Sequence, residues 1–174
     1  VAEAQRIRRI PGIEEVAWRE EAGGPVSAGT QSLGSAWLVG ATPNLIKAAG
    51  GNLISGRNFT DIEAAAGAYV AIVNDKLAER LYPGLDPLGR IVTIYGNPFT
   101  VVGLYADAAS LFSGGDSNPI ALMPHATFSK VVEYDRGGMI IMIKPADSIS
   151  VADAQDRVIT TMRVMRGLKP SQEN

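Results

Sequence analysis

The sequence contains a single histidine, His125, and no cysteine, so few side chains could serve as a catalytic base or nucleophile. Any serine–histidine–acid arrangement would have to use His125 as its base. This histidine directly follows Pro124 at a predicted helix start, where histidine commonly bonds the local backbone or faces solvent. We interpret His125 as a cap or surface residue. A small hydrolase is the alternative in which His125 would be catalytic.

Acidic residues and glycines offer no recognisable site either. Glu14-Glu15 and Glu20-Glu21 are neighbours along the chain, and neighbours in a strand point to opposite faces, so these pairs are poor candidates for a glycosidase. A metal site would need carboxylates at ligand spacing around one histidine, and none recur. The glycine pairs match neither phosphate-binding loop motif. We therefore predict no catalytic residue, no cofactor and no metal.

Composition excludes further classes of function. The 174 residues carry 16 basic and 18 acidic side chains, a net charge of -2, which provides no field for nucleic acid or anionic lipid. The length suits one domain or two small lobes. The longest apolar runs, 68–73 and 139–143, are far shorter than the roughly 20 residues that cross a bilayer. We expect a folded domain that does not itself span a membrane.

The central segment, 68–105, contains a complete structural unit without a catalytic group. It predicts a strand over 69–73, a helix over 75–82 that Pro83-Gly84 ends, and two strands, 91–95 and 99–104, around a turn at 96–98. Elsewhere the patterns predict helices over 2–10, 42–49, 127–132 and 151–166, strands over 13–19, 33–39, 120–123 and 138–144, and loops over 20–24 and 106–118.

Four short segments, taken in order, resemble one known family. They are the segment that runs from 39–44 through the sequence Gly-Arg-Asn-Phe-Thr at 56–60, the sequence Asp-Pro-Leu-Gly-Arg at 86–90 followed by 96–103, the strand ending in proline within 118–127, and the closing helix at 163–167. Each is short, but their shared order makes a chance match improbable. The chain resembles the MacB-like periplasmic core domain of FtsX-family ABC transporter permeases.

The resemblance implies an α+β fold with two lobes. A discontinuous porter-like α/β lobe would be built from both termini, residues 1–55 and 119–174, and a small β-rich α/β lobe, residues 56–118, would be inserted in it. Membrane helices of a parent protein would precede and follow the chain. The domain would then lie on the extracytoplasmic face of a bacterial cytoplasmic membrane.

The resemblance also implies a function without enzymatic activity. The domain would transmit ATP-driven motion of membrane helices to a periplasmic adaptor or cargo, and an ABC ATPase subunit or domain would act through the parent protein. We expect no nucleic-acid partner, a monomeric isolated domain and a dimeric parent. The alternative is a module that binds a peptide, lipoprotein or other substrate.

Two large apolar residues, Leu111 and Phe112, interrupt a serine-, glycine- and aspartate-rich loop. Apolar side chains in such surroundings are candidates for an exposed contact patch, although burial against the domain's own core is the other interpretation. We predict that Leu111 and Phe112 bind a partner, and Trp37 is a further apolar candidate for the substrate-binding alternative.

Overall fold

The computed structural model of the chain describes residues 2–106, 118–134 and 138–167. Its helices are α1 (Ala2–Ile7), α2 (Leu45–Ala48), α3 (Asp61–Ala66), α4 (Asp75–Leu81), α5 (His125–Val131) and α6 (Val151–Met165). Its strands are β1 (Ile13–Ala28), β2 (Gln31–Ala41), β3 (Leu53–Gly56), β4 (Val70–Asn74), β5 (Ile91–Ile94), β6 (Asn97–Tyr105), β7 (Ile120–Pro124) and β8 (Ile140–Pro145). The predicted α+β class is confirmed.

Strands β1 and β2 form one long antiparallel hairpin, in which Arg19 lies opposite Ala41 and Ala28 lies opposite Gln31. The loop predicted over 20–24 is therefore wrong, because these residues lie inside β1. Charge and glycine lower the local strand propensity of this segment, but β2 is held on its other side by β7, and pairing with that fixed strand supplies the backbone hydrogen bonds.

The hairpin between β5 and β6 is present, but its turn lies one residue earlier than predicted. Ile94 pairs with Asn97, so the turn consists of Tyr95 and Gly96, with φ values of 47° and 76°. Positive φ at both central residues is the geometry that matches the twist of two-residue hairpins. Gly96 thus lies in the turn as predicted, whereas Asn97 already belongs to β6.

The strands pair in the order β2-β7-β4-β6-β5-β1, and β1 also pairs with β2, so these six strands form a closed path. The pairs β2–β7 and β4–β6 are parallel, and the others in this path are antiparallel. β3 pairs with β6, and β8 pairs with β1. Two parallel pairs and several antiparallel pairs thus occur together in one mixed sheet.

The chain divides into two compact units. Unit 1 comprises Val1–Ala17 and Ile141–Asn174, and unit 2 comprises Trp18–Ile140. These limits differ from the lobes 1–55 with 119–174 and 56–118, because β7, which belongs to the first of those lobes, pairs with β4, which belongs to the second. The lobe assignment made from the sequence stays a prediction.

Each unit has its own apolar core. Unit 2 buries Leu38, Leu77, Phe99, Phe128 and other side chains between its sheet and helices α4 and α5. In unit 1 the buried side chains include Ala4, Ile7, Val16, Ala154 and Met162.

Helix α6 follows the predicted bounds closely, but the apolar side chains that recur every three or four residues along it, such as Val151, Ala154 and Met162, are only partly buried. Ala154 and Met162 are buried, whereas Val151 is 72% exposed. Val151 is the first residue of the helix, directly after the Ser150 cap. A period of three or four residues fixes which side chains share a face, but not how far the packing partner extends. Among the described helices none is long and apolar enough to cross a membrane.

The Gly-Arg-Asn-Phe-Thr segment builds the start of helix α3. Thr60 caps the helix in a reciprocal capping box with Glu63, whose backbone amide donates to Thr60 Oγ1 at 3.1 Å. The Arg57 guanidinium donates to both carboxylate oxygens of Glu63, each at 2.8 Å. Such paired, charge-assisted bonds are stronger than single neutral ones. The motif therefore has a structural explanation.

Acid should remove the stabilisation that Arg57 and Thr60 gain from the charged Glu63 carboxylate. The Arg57 hydrogen bonds, followed by the Thr60 amide, lower the pKa of Glu63 from 4.5 to about 2. Because the folded-state pKa is depressed, the contribution is complete above about pH 4.5 and is lost as the pH falls toward about 2. Glu63→Gln should cost about 1 kcal/mol at neutral pH, a value reduced for solvent screening.

Denaturant unfolding of both proteins across the acidic range measures this effect. The curves of the original chain and the Glu63→Gln variant should converge as the pH approaches about 2. Glu79→Gln is the control, because Glu79 is exposed on α4 and should show no such pH-dependent difference. A constant difference between the original chain and Glu63→Gln at all pH values would contradict the explanation.

Candidate functional site

Titratable side chains converge around one buried carboxylate, that of Glu20 on β1. Its exposed fraction is 7%. Glu20 Oε2 lies 2.6 Å from His125 Nε2 and accepts a hydrogen bond from Tyr134 Oη at 2.7 Å. His125 is the first residue of α5, and Tyr134 follows the end of that helix. One carboxylate therefore binds both ends of α5 to β1.

The environment of Glu20 keeps the carboxylate charged. Burial by itself raises the pKa of Glu20, but the hydrogen bonds from Tyr134 and His125 outweigh it, so the pKa lies below its usual value. A general acid at neutral pH needs the opposite shift. The Glu20 carboxylate is thus suited to accepting hydrogen bonds rather than to donating a proton.

A nearby hydroxyl does not complete a hydrolase triad. Ser129 Oγ donates to the main-chain oxygen of His125 at 2.9 Å, one helical turn back, and the Nε2 atom of His125 faces Glu20. A triad requires the serine hydroxyl to donate to the imidazole. The arrangement provides no support for the hydrolase alternative.

The predicted local role of His125 is wrong, because its side chain bonds Glu20, 105 residues earlier in the chain. The sequence held no signal for this contact. A partner so distant is specified by the pairing of β1, β2 and β7, and the prediction had placed Glu20 in a loop. Within 2–106, 118–134 and 138–167 no three His, Cys, Asp or Glu side chains are grouped as metal ligands.

The predicted partner-binding residues, Leu111 and Phe112, lie outside the described residues, so their role stays a prediction. Trp37 is half-buried on β2, where its amide donates to the Pro119 carbonyl oxygen at 2.8 Å. Large apolar side chains that are exposed elsewhere in the described part include Ile54, Ile62, Leu85, Ile91, Val151 and Val164. Scattered exposed residues of this kind are normal, whereas clustered ones mark contacts.

Two of these exposed residues, Leu85 and Ile91, line the same groove in unit 2. It has a volume of about 610 Å³ and lies between the β1–β2 turn, the end of α4 and the start of β5. The Asp-Pro-Leu-Gly-Arg segment contributes Gly89 and Arg90 to its wall. The sequence of this segment matches the family pattern but carries no signal for a groove.

The model of the MacB-like periplasmic core domain family matches residues 1–161. This chain belongs to that family. The match to the MacB-like family includes the first three of the four motif segments. The fourth, at 163–167, lies beyond the matched residues. The recognition made from the sequence is confirmed.

Curated relatives of the MacB-like domain are larger transport proteins. The chain is 25% identical over 172 residues to a macrolide export ATP-binding/permease protein MacB of Mannheimia succiniciproducens, which covers 97% of the chain and 26% of that protein. It is 28% identical over 118 residues to a probable syringafactin export ATP-binding/permease protein of Pseudomonas syringae, covering 67% of the chain and 18% of that protein. The chain thus spans about a quarter or less of these relatives.

Solved structures support the MacB-like fold. The periplasmic region of MacB from Actinobacillus actinomycetemcomitans matches with a TM-score of 0.83 at 22% identity, covering 97% of this chain and 74% of that one. The extracellular domain of the transporter YknZ from Gram-positive bacteria matches with a TM-score of 0.77 at 17% identity, covering 97% and 84%.

Proposed function

We propose that this chain is the extracytoplasmic domain of an ABC transporter permease and that it transmits ATP-driven motion of membrane helices to a partner or cargo. It catalyses no reaction itself. An ATPase subunit or domain of the parent hydrolyses ATP, and an adaptor or the cargo receives the motion. The family and the export ATP-binding/permease relatives support this function. We further expect a dimeric parent and a monomeric isolated domain.

The observation that carries the proposal is the bond between the first and last described helices of unit 1. Arg166 donates to both carboxylate oxygens of Glu3, at 3.0 and 3.2 Å. Arg157 on α6 also donates to the Pro11 carbonyl oxygen at 2.6 Å. Motion applied to either helix therefore reaches the other within the same compact unit.

Movement of the domain against the membrane tests this function. A donor dye on Ile62→Cys, an 81% exposed position, would report its distance to acceptor-labelled lipid headgroups in the reconstituted parent and its ATPase. The chain has no native cysteine, so labelling within it is specific. Trapping the ATP-bound state should change the efficiency of energy transfer.

The matched control is a pair of dyes within unit 2, on Ile62→Cys and Glu79→Cys, both exposed. Their separation should stay constant if the unit moves as a rigid body. An unchanged headgroup distance in a parent that still hydrolyses ATP would contradict the proposal. ATP turnover by the isolated chain would contradict its non-enzymatic part.

A second function, capture of a substrate, is favoured by the open groove lined by Leu85 and Ile91. Exposed apolar side chains that share one concave wall can hold the apolar part of a ligand. Ligand binding by the chain together with an unchanged headgroup distance in the ATP-trapped state would select this second function over the first.

A further inference from the structure

We propose that the groove beside the Asp-Pro-Leu-Gly-Arg loop binds a carboxylate that is attached to an apolar group. This inference names a ligand class for the second function above and does not depend on the transmission of motion. Its failure would leave that first function standing. The groove volume of about 610 Å³ lies within the range of small-molecule sites, roughly 300–1,000 Å³.

The loop holds Arg90 in a defined position. Asp86 Oδ1 accepts from the Leu88 amide at 3.0 Å, and the Arg90 amide donates to the Pro87 carbonyl oxygen at 3.1 Å. Gly89 adopts a φ of 74°, which favours glycine. The Nε atom of Arg90 then donates to the Asp86 carbonyl oxygen at 2.6 Å. The geometry of this tight turn thus fixes the Nε end of the guanidinium group.

The outer part of the guanidinium group is available to a ligand. Within the described ranges, the two terminal nitrogens of Arg90 have no partner, and the groove is lined by no aspartate or glutamate. Asp86, the acid of the loop, directs Oδ1 to an amide of the loop itself. A planar guanidinium pairs well with a carboxylate, so the charge of the groove favours an anion.

A second donor lies beside the first. Tyr82 lines the groove, and only 6% of its surface is exposed. Its hydroxyl has no hydrogen-bond partner among the described residues. Burial raises the pKa of Tyr82 to about 12, while the charge of Arg90 opposes this rise. Tyr82 and Arg90 line the same groove. A bound carboxylate would supply the acceptor that this hydroxyl lacks.

The rest of the wall is apolar. Leu85 and Ile91 are 54% and 50% exposed, and Pro83 lies between α4 and Leu85. A hydrocarbon group seated there would cover both side chains while its carboxylate meets Arg90 and Tyr82. The carboxylate could belong to a fatty acid or to the C-terminus of a peptide that ends in apolar residues, since both present the same two features.

The test is a titration of the ¹⁵N-labelled chain followed by NMR. The probes are octanoate and N-acetyl-Leu-Leu with a free carboxylate, each compared with its uncharged amide. We expect the carboxylates to shift the amide signals of Gly29, Thr30, Arg90 and Ile91 with a Kd of about 1 mM, the affinity of a small ligand at an open site. A response to only one carboxylate identifies the source.

Amino-acid substitutions test which charged side chain binds the carboxylate. Arg90→Gln should weaken binding about tenfold. Arg90→Lys should weaken it less, because lysine keeps the charge but not the planar pair of donors. Arg80→Gln removes the same charge from an exposed position on α4 outside the groove and should change the Kd less than twofold. Tyr82→Phe should weaken binding about threefold while the protein stays folded.

Three outcomes would overturn the proposal. The first is that neither carboxylate binds up to about 20 mM, which is twentyfold above the expected Kd. The second is that the carboxylates and their amides bind equally well. The third is that Arg90→Gln and Arg80→Gln lose the same amount of affinity. In each variant, unchanged amide signals outside the groove show that the fold is intact.

Discussion

Replacing Gly56 by alanine should lower the free energy of unfolding by about 3 kcal/mol. Gly56 ends β3 and pairs with Gly103 on β6, and its φ is 73°. A Cβ at residue 56 would overlap the Val102 carbonyl oxygen and would lie 2.7 Å from Leu88 Cδ2. Val102 is held in place because its oxygen accepts from the Arg57 amide at 2.8 Å. The backbone cannot yield without breaking that bond.

Gly50→Ala is the matched control for this variant. Gly50 has nearly the same φ, 75°, but a Cβ there would meet no atom within 4 Å. Its cost should therefore be limited to backbone strain, about 1 kcal/mol. Guanidinium unfolding followed by circular dichroism measures both changes. Equal losses in the two variants would show that positive φ alone, rather than the close approach of the strands, explains Gly56.

Replacing Asn74 by alanine should lower the free energy of unfolding by about 3 kcal/mol as well. Asn74 is fully buried at the junction of β4 and α4. Its Oδ1 accepts from the amides of Leu77 at 3.0 Å and Ile120 at 2.9 Å, and its Nδ2 donates to the Asn118 carbonyl oxygen at 2.8 Å. The variant would leave these three buried backbone groups without that partner.

Thr60→Ala separates the capping effect from the buried network. Thr60 caps α3 as Asn74 caps α4, but it is exposed, and its side-chain hydrogen bonds to described residues stay within its own helix start. Loss of an exposed cap costs about 1 kcal/mol. The same unfolding experiment gives both values. If Asn74→Ala lost no more than Thr60→Ala, the bonds from Asn74 to β7 would contribute nothing measurable.

Gly56 and Gly103 give a physical reason for parts of the sequence pattern that identifies the family. Gly56 opens the Gly-Arg-Asn-Phe-Thr segment, and Gly103 ends the segment 96–103. A Cβ at residue 103 would lie 2.5 Å from the Arg57 carbonyl oxygen. Two of the four motif segments therefore meet in space. At Gly56 and Gly103 their backbones approach too closely for any side chain.

The Glu20 cluster shows where sequence reasoning failed. Local charge and glycine predict that Glu20 lies in a loop, and the position of His125 after Pro124 predicts a cap or surface residue. Both assignments followed from residues close in sequence. The actual contact depends on the long β1–β2 hairpin and on the parallel pairing of β2 with β7, neither of which has a local signature.

The sequence by itself determined most of the helices and strands and the family. Helix α6, helix α4 and strand β4 follow their predicted bounds within about two residues, because caps, breakers and periodicity act over one or two turns. The order of the short motifs identified the MacB-like domain.

Only the tertiary structure decided which distant residues share a site. It joined Glu20 to His125 and Tyr134, placed the buried Asn74 between α4 and β7, and set Tyr82 beside Arg90 at an open groove. These contacts depend on strand order and register, which are fixed by the packing of the whole sheet. A charge or an amide in the sequence carries no record of the partner that such packing will bring to it.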